Sequence, residues 1–515
     1  MNVTAPTPYD EVFYPGHPFS QTHPDRLATV ASLFGLAPAP VTRCRVLELG
    51  CGSGGNLIPM AYQLPDSHFV GIDLSEHAVA QGNSNLARLG LSNLELRHGD
   101  IMEISPEDGR FDYIMAHGVL SWVPPHVRGK IFEIMRDNLA PQGVGYVSYN
   151  AFPASHFRDM TREMMLYHVK QMDDTKERVE QSRALMKLLA EATPENTVYG
   201  VVMRDQFDRV KKMPDEVLYH DDLSPSASPF FLHQVVAEAK AADIQYLAEA
   251  TFAHMSFGGH GEPIGAIIKQ IPAEAFVERE QYLDFFVGRG FRETLLCHGD
   301  IKLRRDITQD CVRNYHVAAM VEAPGEIDPA APGVVAFKTG RTSTISTDHC
   351  LSKAALLEIG AAWPGAVGFD QLVERGLARL GERADPVRAN LAEEVDALAT
   401  VLFRAFCYDH LSLHLYPPQL TIAVSERPQA SLLARREAEA GRLVTNLRHG
   451  LVSLEDPVVR RFLGLVDGTR DVDQLVEDLG AALNGGPDGS EEVSVTPETV
   501  RQNLEILGKL GLLVA

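Results

Sequence analysis

The chain is short of cysteine, tryptophan and positive charge. Its six cysteines (Cys44, Cys51, Cys297, Cys311, Cys350 and Cys407) are scattered with no C-x-x-C pair, which fits neither a zinc site nor a disulfide framework and predicts reduced, mostly core thiols with no metal. Lys and Arg number 47 against 69 Asp and Glu, a formal net charge of -22. Nucleic-acid affinity comes largely from cationic side chains neutralising phosphates, so DNA or bulk RNA is not an expected partner. Met1 to Glu11 has no basic region and no apolar stretch of signal-peptide length, and no segment reaches the roughly 20 apolar residues that span a bilayer. A cytoplasmic protein without membrane insertion is the expectation.

What is present starts with length: 515 residues exceed one ordinary core, so two to four domains are expected. The most informative stretch is Val46-Leu47-Glu48-Leu49-Gly50-Cys51-Gly52-Ser53-Gly54-Gly55, where an apolar strand breaks at once into glycines. Glycine lets a backbone approach a ligand, and the helix opening near Asn56 offers unpaired N–H groups. Gly50, Cys51, Gly52, Gly54 and Asn56 are therefore candidate cofactor contacts. Gly50, Gly52 and Gly55 also satisfy the dinucleotide spacing G-x-G-x-x-G, which alone is weak. Glu48 discriminates, because a carboxylate there repels a pyrophosphate and welcomes a cationic amino or sulfonium group. A second apolar strand ends at Asp73-Leu74-Ser75, an acid able to hold ribose hydroxyls, and a third runs into Asp100-Ile101, whose acid can accept from an adenine amino group. Strand, glycine loop, acid and acid in this order resemble the class I methyltransferases that use S-adenosyl-L-methionine; a nicotinamide enzyme is the weaker alternative.

Alternating strands and amphipathic helices from Arg45 to Tyr149 predict an α/β fold, a Rossmann-like, parallel, doubly wound sheet with strands near 45–50, 68–73, 94–98, 111–116 and 143–149. Phe157 to Lys212 reads as three Met-rich helical stretches, an insertion at about 153–215. Ile244 to Leu247 then reads as a strand, 262–288 as a second helical insertion, and Phe291 to Leu296 as a last edge strand, so that the methyltransferase domain covers 1–305 with a regulatory segment at 218–300. Beyond the Pro/Gly/Ala-rich stretch Ala323 to Gly333 an echo appears, Phe369-Asp370-Gln371-Leu372-Val373-Glu374 against Val472-Asp473-Gln474-Leu475-Val476-Glu477. It predicts two mainly helical, winged-helix-like units at 330–417 and 440–515. The candidate reading helix from Glu498 to Glu505 has at least as many acids as bases, which favours protein binding or core covering over DNA recognition.

Methyl transfer is an in-line displacement, and holding donor and acceptor at attack distance can be worth about 7–11 kcal/mol. The loop after the fourth strand, Ala116 to Pro124, faces the cofactor in a doubly wound sheet. Within it His117 and Gly118 are candidate cofactor contacts, and Ser121 and Trp122 candidate walls of the acceptor pocket; the alternative is that His117 and Trp122 merely pack the loop. Tyr149 and Asn150, at the end of the fifth strand, could accept from an incoming amine, or Asn150 could cap the next turn. The aromatic, His- and Arg-bearing segment before the sheet reads as a lid, with Tyr9, His23 and Arg26 its candidate contacts, or as a plain packing arm.

These motifs, with Gln281-Tyr282-Leu283-Asp284-Phe285 and Phe291-Arg292-Glu293-Thr294-Leu295-Leu296-Cys297, resemble the bacterial methyltransferases that carry a methyltransferase regulatory domain. The best-known members of that group are protein-lysine methyltransferases acting on outer-membrane proteins. The resemblance implies S-adenosyl-L-methionine as cofactor, a protein or peptide substrate and a homodimer through the helical insertion. A methyltransferase for a small molecule or biosynthetic peptide, and a non-catalytic cofactor-sensing scaffold, are the competing readings.

Overall fold

Strands whose two faces are both covered must be apolar throughout, and the runs at Val46, Phe69, Phe111 and Val144 meet that condition. In the computed structural model, which describes residues 12, 14–224, 226–256, 262–340, 343–484 and 495–514, they form β1 (Arg45–Leu49), β2 (His68–Asp73), β3 (Leu94–His98), β4 (Phe111–Ala116) and β5 (Leu139–Asn150). With β6 (Ile244–Glu249) and β7 (Phe291–His298) they make a seven-stranded sheet ordered β3-β2-β1-β4-β5-β7-β6.

One expectation is corrected here. The segment at 291–296 is not the edge strand: β7 lies between β5 and β6 and runs antiparallel to both, whereas β1 to β5 pair in parallel as expected. The cause is the helix Phe276–Val287, which returns the chain to the edge of β5 before β7 begins. A buried ion network holds this arrangement. Arg292 on β7, fully buried, donates to both carboxylate oxygens of Asp284 at 2.8 Å, to Glu249 of β6 at 2.5 Å and to Glu280 at 3.4 Å.

The insertion after β5 comprises the helices Ser155–His168, Thr175–Ala192 and Val198–Lys212, followed by Asp215–Asp222. They bury their own cluster of Met165, Val179, Met186, Val210 and Leu218. Arg158 and Arg209 both pair with the fully buried Asp222 and pin the insertion together.

Beyond the sheet, β8 (His316–Ala318) pairs with β12 (Val367–Gly368) and β13 (Ser412–His414), while β9 (Val321–Glu322), β10 (Val335–Thr339) and β11 (Ser343–Thr347) form a second small sheet. These strands surround the helices Cys350–Ala362, Phe369–Leu380 and Leu391–Cys407. The elements therefore start at His316, ahead of the expected 330, because β8 supplies the central strand for β12 and β13. Their core is continuous with one face of the large sheet, as in the stacking of Phe252 on Phe406 at 4.8 Å.

The last elements are the helix Leu432–Ala440, the hairpin of β14 (Leu443–Thr445) and β15 (Leu451–Ser453), and the helices Pro457–Leu465, Val472–Asn484 and Pro497–Lys509. They enclose a separate core around Phe462, Leu475 and Leu504, the fold of a winged helix. It too starts before the expected 440: Ala430 bridges Leu513, tying residues ahead of its first helix to its last strand-like turn. The echoing segments both open helices, at Phe369 and at Val472.

Removing Arg292 leaves Glu249 and Glu280 buried without their cation and Asp284 with Arg289 alone. Arg292→Met is expected to cost about 3–5 kcal/mol of stability, read as a lowered urea midpoint at neutral pH; an unchanged midpoint contradicts this account of β7.

Candidate active site

The strand order reverses between β1 and β4, and at such a point the carboxyl ends of the strands leave a crevice. The glycine loop fills its floor. Gly50 and Cys51 donate to the Ile72 carbonyl at 2.9 and 3.2 Å, holding the loop against β2. Gly52 takes φ +54, in the left-handed region that glycine favours, and a Cβ built on it meets no atom within 4 Å. Its N–H donates to Asp73 Oδ2 at 2.7 Å, and Ser75 N–H to Asp73 Oδ1 at 2.9 Å, so loop and β2 end are one unit. Ser75 also caps the helix Glu76–Leu89 through Ala78 N–H. At the end of β3 the Asp100 carboxylate accepts from Met102 N–H at 2.9 Å and sets the short turn that buries Ile101, while Leu74 stays half-buried.

Asn56 does something the sequence did not announce. Its side chain makes no cap for the short helix Leu57–Gln63; it reaches back, and Nδ2 donates to Glu48 Oε1 at 2.8 Å. Both residues are buried, and among the described residues Glu48 Oε2 has no hydrogen-bond partner. Burial, with the nearby charge of Asp73, pushes the Glu48 carboxyl up to about 8 although the Asn56 hydrogen bond opposes the shift. A buried oxygen without a donor at the mouth of the glycine loop suits a ligand that brings a cation.

The lid lies on this floor. Gly16 touches Gly55 so closely that a side chain on Gly55 would strike Gly16's backbone. Phe19 N–H donates to Asn56 Oδ1 at 3.1 Å, and the Phe19 ring rests 3.9 Å from that of His117. His23 caps the helix Pro24–Leu33 by accepting from Asp25 N–H at 3.2 Å, which leaves its buried Nε2 without a partner among the described residues. Arg26 is half-buried beside it, and Tyr9 lies outside the described residues. The helix is itself clamped, because Asp25 accepts from Tyr416 N–H and contacts His414 Nδ1, both at 2.7 Å.

On the acceptor side, Gly118 N–H donates to Ser148 Oγ at 2.8 Å, and His117 Nδ1 lies 2.9 Å from the Tyr146 hydroxyl. Burial lowers the His117 pKa to about 4, so the ring is neutral at physiological pH. Ser121 is buried and its Oγ accepts from Asn150 N–H at 2.9 Å, a strap between the loop and β5. The expectation for Tyr149 is corrected. Alternation along β5 turns it to the face opposite Tyr146 and Ser148, where its hydroxyl meets Thr294 Oγ1 at 3.1 Å in the buried network. Trp122 and Asn150 do come together, through Arg158: its guanidinium sits 5.8 Å from the Trp122 ring and donates to Asn150 Oδ1 at 3.3 Å. Asn150 caps no helix; the position before Ser155–His168 is Ala154.

One contributor comes from far along the chain. His449 of the winged helix, at the tip of the β14–β15 hairpin, places Nε2 2.9 Å from Asn56 Oδ1. Nothing in the local sequence around His449 marks it, since the signal is a contact across 393 residues.

Sheet order, glycine loop and the acids at the carboxyl ends of β1, β2 and β3 define a class I methyltransferase dependent on S-adenosyl-L-methionine. The chain matches the models of three families: methyltransferase domain over residues 41–207, predicted methyltransferase regulatory domain over 214–298, and PKMT, C-terminal winged helix domain, over 426–504. It is 32% identical over 522 residues to uncharacterized protein RP789 of Rickettsia prowazekii (strain Madrid E), covering 98% of this chain and 92% of that protein. The structure of PKMT2 from Rickettsia typhi in complex with AdoHcy is similar with a TM-score of 0.87 at 26% identity, covering 98% of this chain and 100% of that one. A 112-residue stretch, 22% of this chain and 39% of the relative, is 32% identical to trans-aconitate 2-methyltransferase of Deinococcus radiodurans. The chain belongs to the family of S-adenosyl-L-methionine-dependent methyltransferases that join a methyltransferase domain to a regulatory domain and a PKMT-type winged helix.

If Glu48 pairs with the cationic amino end of the cofactor, it must ionise on binding and release its proton. Affinity for S-adenosylhomocysteine is then expected to rise by up to about tenfold per unit from pH 6 to pH 8. At higher pH it falls as the ligand's α-amino group, held above the range of a peptide amino terminus by the adjacent carboxylate, loses its charge. Calorimetric titration across this range tests it: Glu48→Gln should flatten the acid limb, and a flat wild-type profile removes Glu48 from this role.

Proposed function

We propose that this methyltransferase transfers methyl groups to lysine side chains of a protein substrate. The observation that carries the reading is the full-length likeness to PKMT2, supported by the PKMT-type winged helix. In this reading Glu48 and Asn56, with the lid residues His23 and Arg26, hold the amino-acid end of the cofactor. Gly50, Cys51, Gly52 and Gly54 let it lie close to the loop. Asp73 takes the ribose hydroxyls, Leu74, Asp100 and Ile101 enclose the adenine, and His117 and Gly118 flank the reacting end.

The cofactor supplies an activated methyl on a sulfonium. A lysine amine attacks that carbon through its lone pair as the carbon–sulfur bond breaks, and S-adenosylhomocysteine leaves. Baring the amine at pH 7.4 costs roughly 4 kcal/mol from a reference pKa of 10.4, at about 1.36 kcal/mol per unit. His117, neutral with a pKa near 4, is a weak base; the amine gives its proton to water, and the wall of half-buried Trp122 and buried Asn150 receives it uncharged.

Incubating the protein with methyl-labelled S-adenosyl-L-methionine and extract of its host should put acid-stable label into protein, absent with Asp73→Ala. Trp122→Ala should keep cofactor affinity within about threefold and cut transfer by tenfold or more. Label confined to small molecules would replace this reading with the biosynthetic one.

We also infer a homodimer through the helical insertion. Val198, Tyr167, Leu188 and Val201 there are 83%, 71%, 61% and 59% exposed, more apolar surface than a solvated helical layer normally shows. Light scattering on the eluting protein should give twice the chain mass, reduced to one by Val198→Asp with Leu188→Asp; a monomeric wild type refutes it.

A further inference from the structure

The winged helix does not stand apart from the cofactor crevice. Its hairpin tip, Asn446 to Gly450, is internally braced: Asn446 Oδ1 accepts from Arg448 N–H at 3.0 Å and from Gly450 N–H at 2.9 Å. It is also bolted on three sides. Gln63 donates to the Asn446 carbonyl at 3.3 Å, Leu447 N–H to the Gly511 carbonyl at 2.9 Å, and Arg448 to the Pro364 carbonyl at 2.7 Å while lying over the Trp363 ring. This bracing holds His449 at φ +56, in the left-handed region that few non-glycine residues occupy.

His449 is 1% exposed and points at Asn56. The orientation of the Asn56 amide follows from Phe19, whose backbone N–H can only donate, so the atom that it and His449 share is the oxygen. His449 must therefore carry its proton on Nε2. Its Nδ1, like His23 Nε2 and Glu48 Oε2, is buried with no partner among the described residues, and the His23 and His449 rings lie 5.3 Å apart. Three polar atoms without partners gather around one amide.

We propose that the winged helix is an integral part of the cofactor site: the hairpin tip, through the Nε2–H of His449, orients the Asn56 amide and so holds the Glu48 carboxylate for the amino end of S-adenosyl-L-methionine. His449 is a positioning residue acting through Asn56. The inference rests on the placement of the cofactor over Glu48 made above. It assigns the terminal unit a part in cofactor affinity besides any contact with substrate, so that displacing the hairpin would loosen the donor.

The test measures S-adenosylhomocysteine binding to the full chain by calorimetry, with thermal melting as the check on folding. His449→Leu, which keeps bulk but removes the donor, should weaken binding tenfold or more; His449→Gln, which restores an N–H donor, should stay within threefold of wild type. In steady state His449→Leu should raise the KM for the methyl donor while kcat changes less than threefold. Hydrogen exchange on the wild-type chain supplies a reading that needs no variant, since ligand should slow exchange at Leu447 to Leu451. Wild-type affinity in a folded His449→Leu, or exchange at the tip indifferent to ligand, overturns the inference while Asp73→Ala still abolishes binding. Undiminished binding in Asp73→Ala overturns the cofactor placement and the inference with it.

Discussion

A carboxylate buried under a glycine loop is the constraint around which this molecule is arranged. Glu48 is 3% exposed, and an ionised carboxylate without partners is among the most expensive groups to bury. Asn56 satisfies one oxygen, and Asn56 in turn is held by Phe19 and Thr22 of the lid and His449 of the terminal unit. One amide thereby joins the two ends of the chain at the crevice. The remaining oxygen has no hydrogen-bond partner among the described residues.

The same logic shapes the second clamp. Asp25, buried at the start of the helix that carries Arg26, meets His414 and the backbone of Tyr416. Leu415 N–H adds a bond to Thr29 Oγ1 at 3.0 Å. The lid helix is thus tied to the middle elements while its leading residues touch the glycine loop. Buried polar contacts of this kind contribute little net stability on average, yet they are costly to break singly and so fix relative position. In a methyltransferase whose sheet is shared by many chemistries, such ties let the added units act on the donor site.

Much of the sheet was legible in the residues. β1, β2, β4 and β5 fall where the apolar runs place them, because strands covered on both faces carry few polar groups, and β3, at the sheet edge, alternates buried and exposed residues. Gly52, Glu48 and Asp73 stood out as glycine and acids at strand ends, and the structure gathers them at one crevice. The position of β7 was not, since strand order depends on which edge the preceding helix reaches, and Phe291 to Leu296 reads alike in a central or an edge strand. Tyr149 was misassigned for a local reason. Alternation decides which face a residue on β5 occupies, and a one-residue difference separates the crevice side of Ser148 from the buried network behind Tyr149.

The sequence by itself determined the chemistry: periodicity dictates strands and helices, and a glycine loop followed by acids at successive strand ends dictates the class of cofactor. Only the tertiary structure decided who completes the site. Asn56 turning back to Glu48, Arg158 joining Trp122 to Asn150, and His449 reaching Asn56 across 393 residues are contacts between side chains whose neighbours along the chain carry no trace of them. Local patterns record what each segment must bury; which segments then meet is set by the packing of the whole.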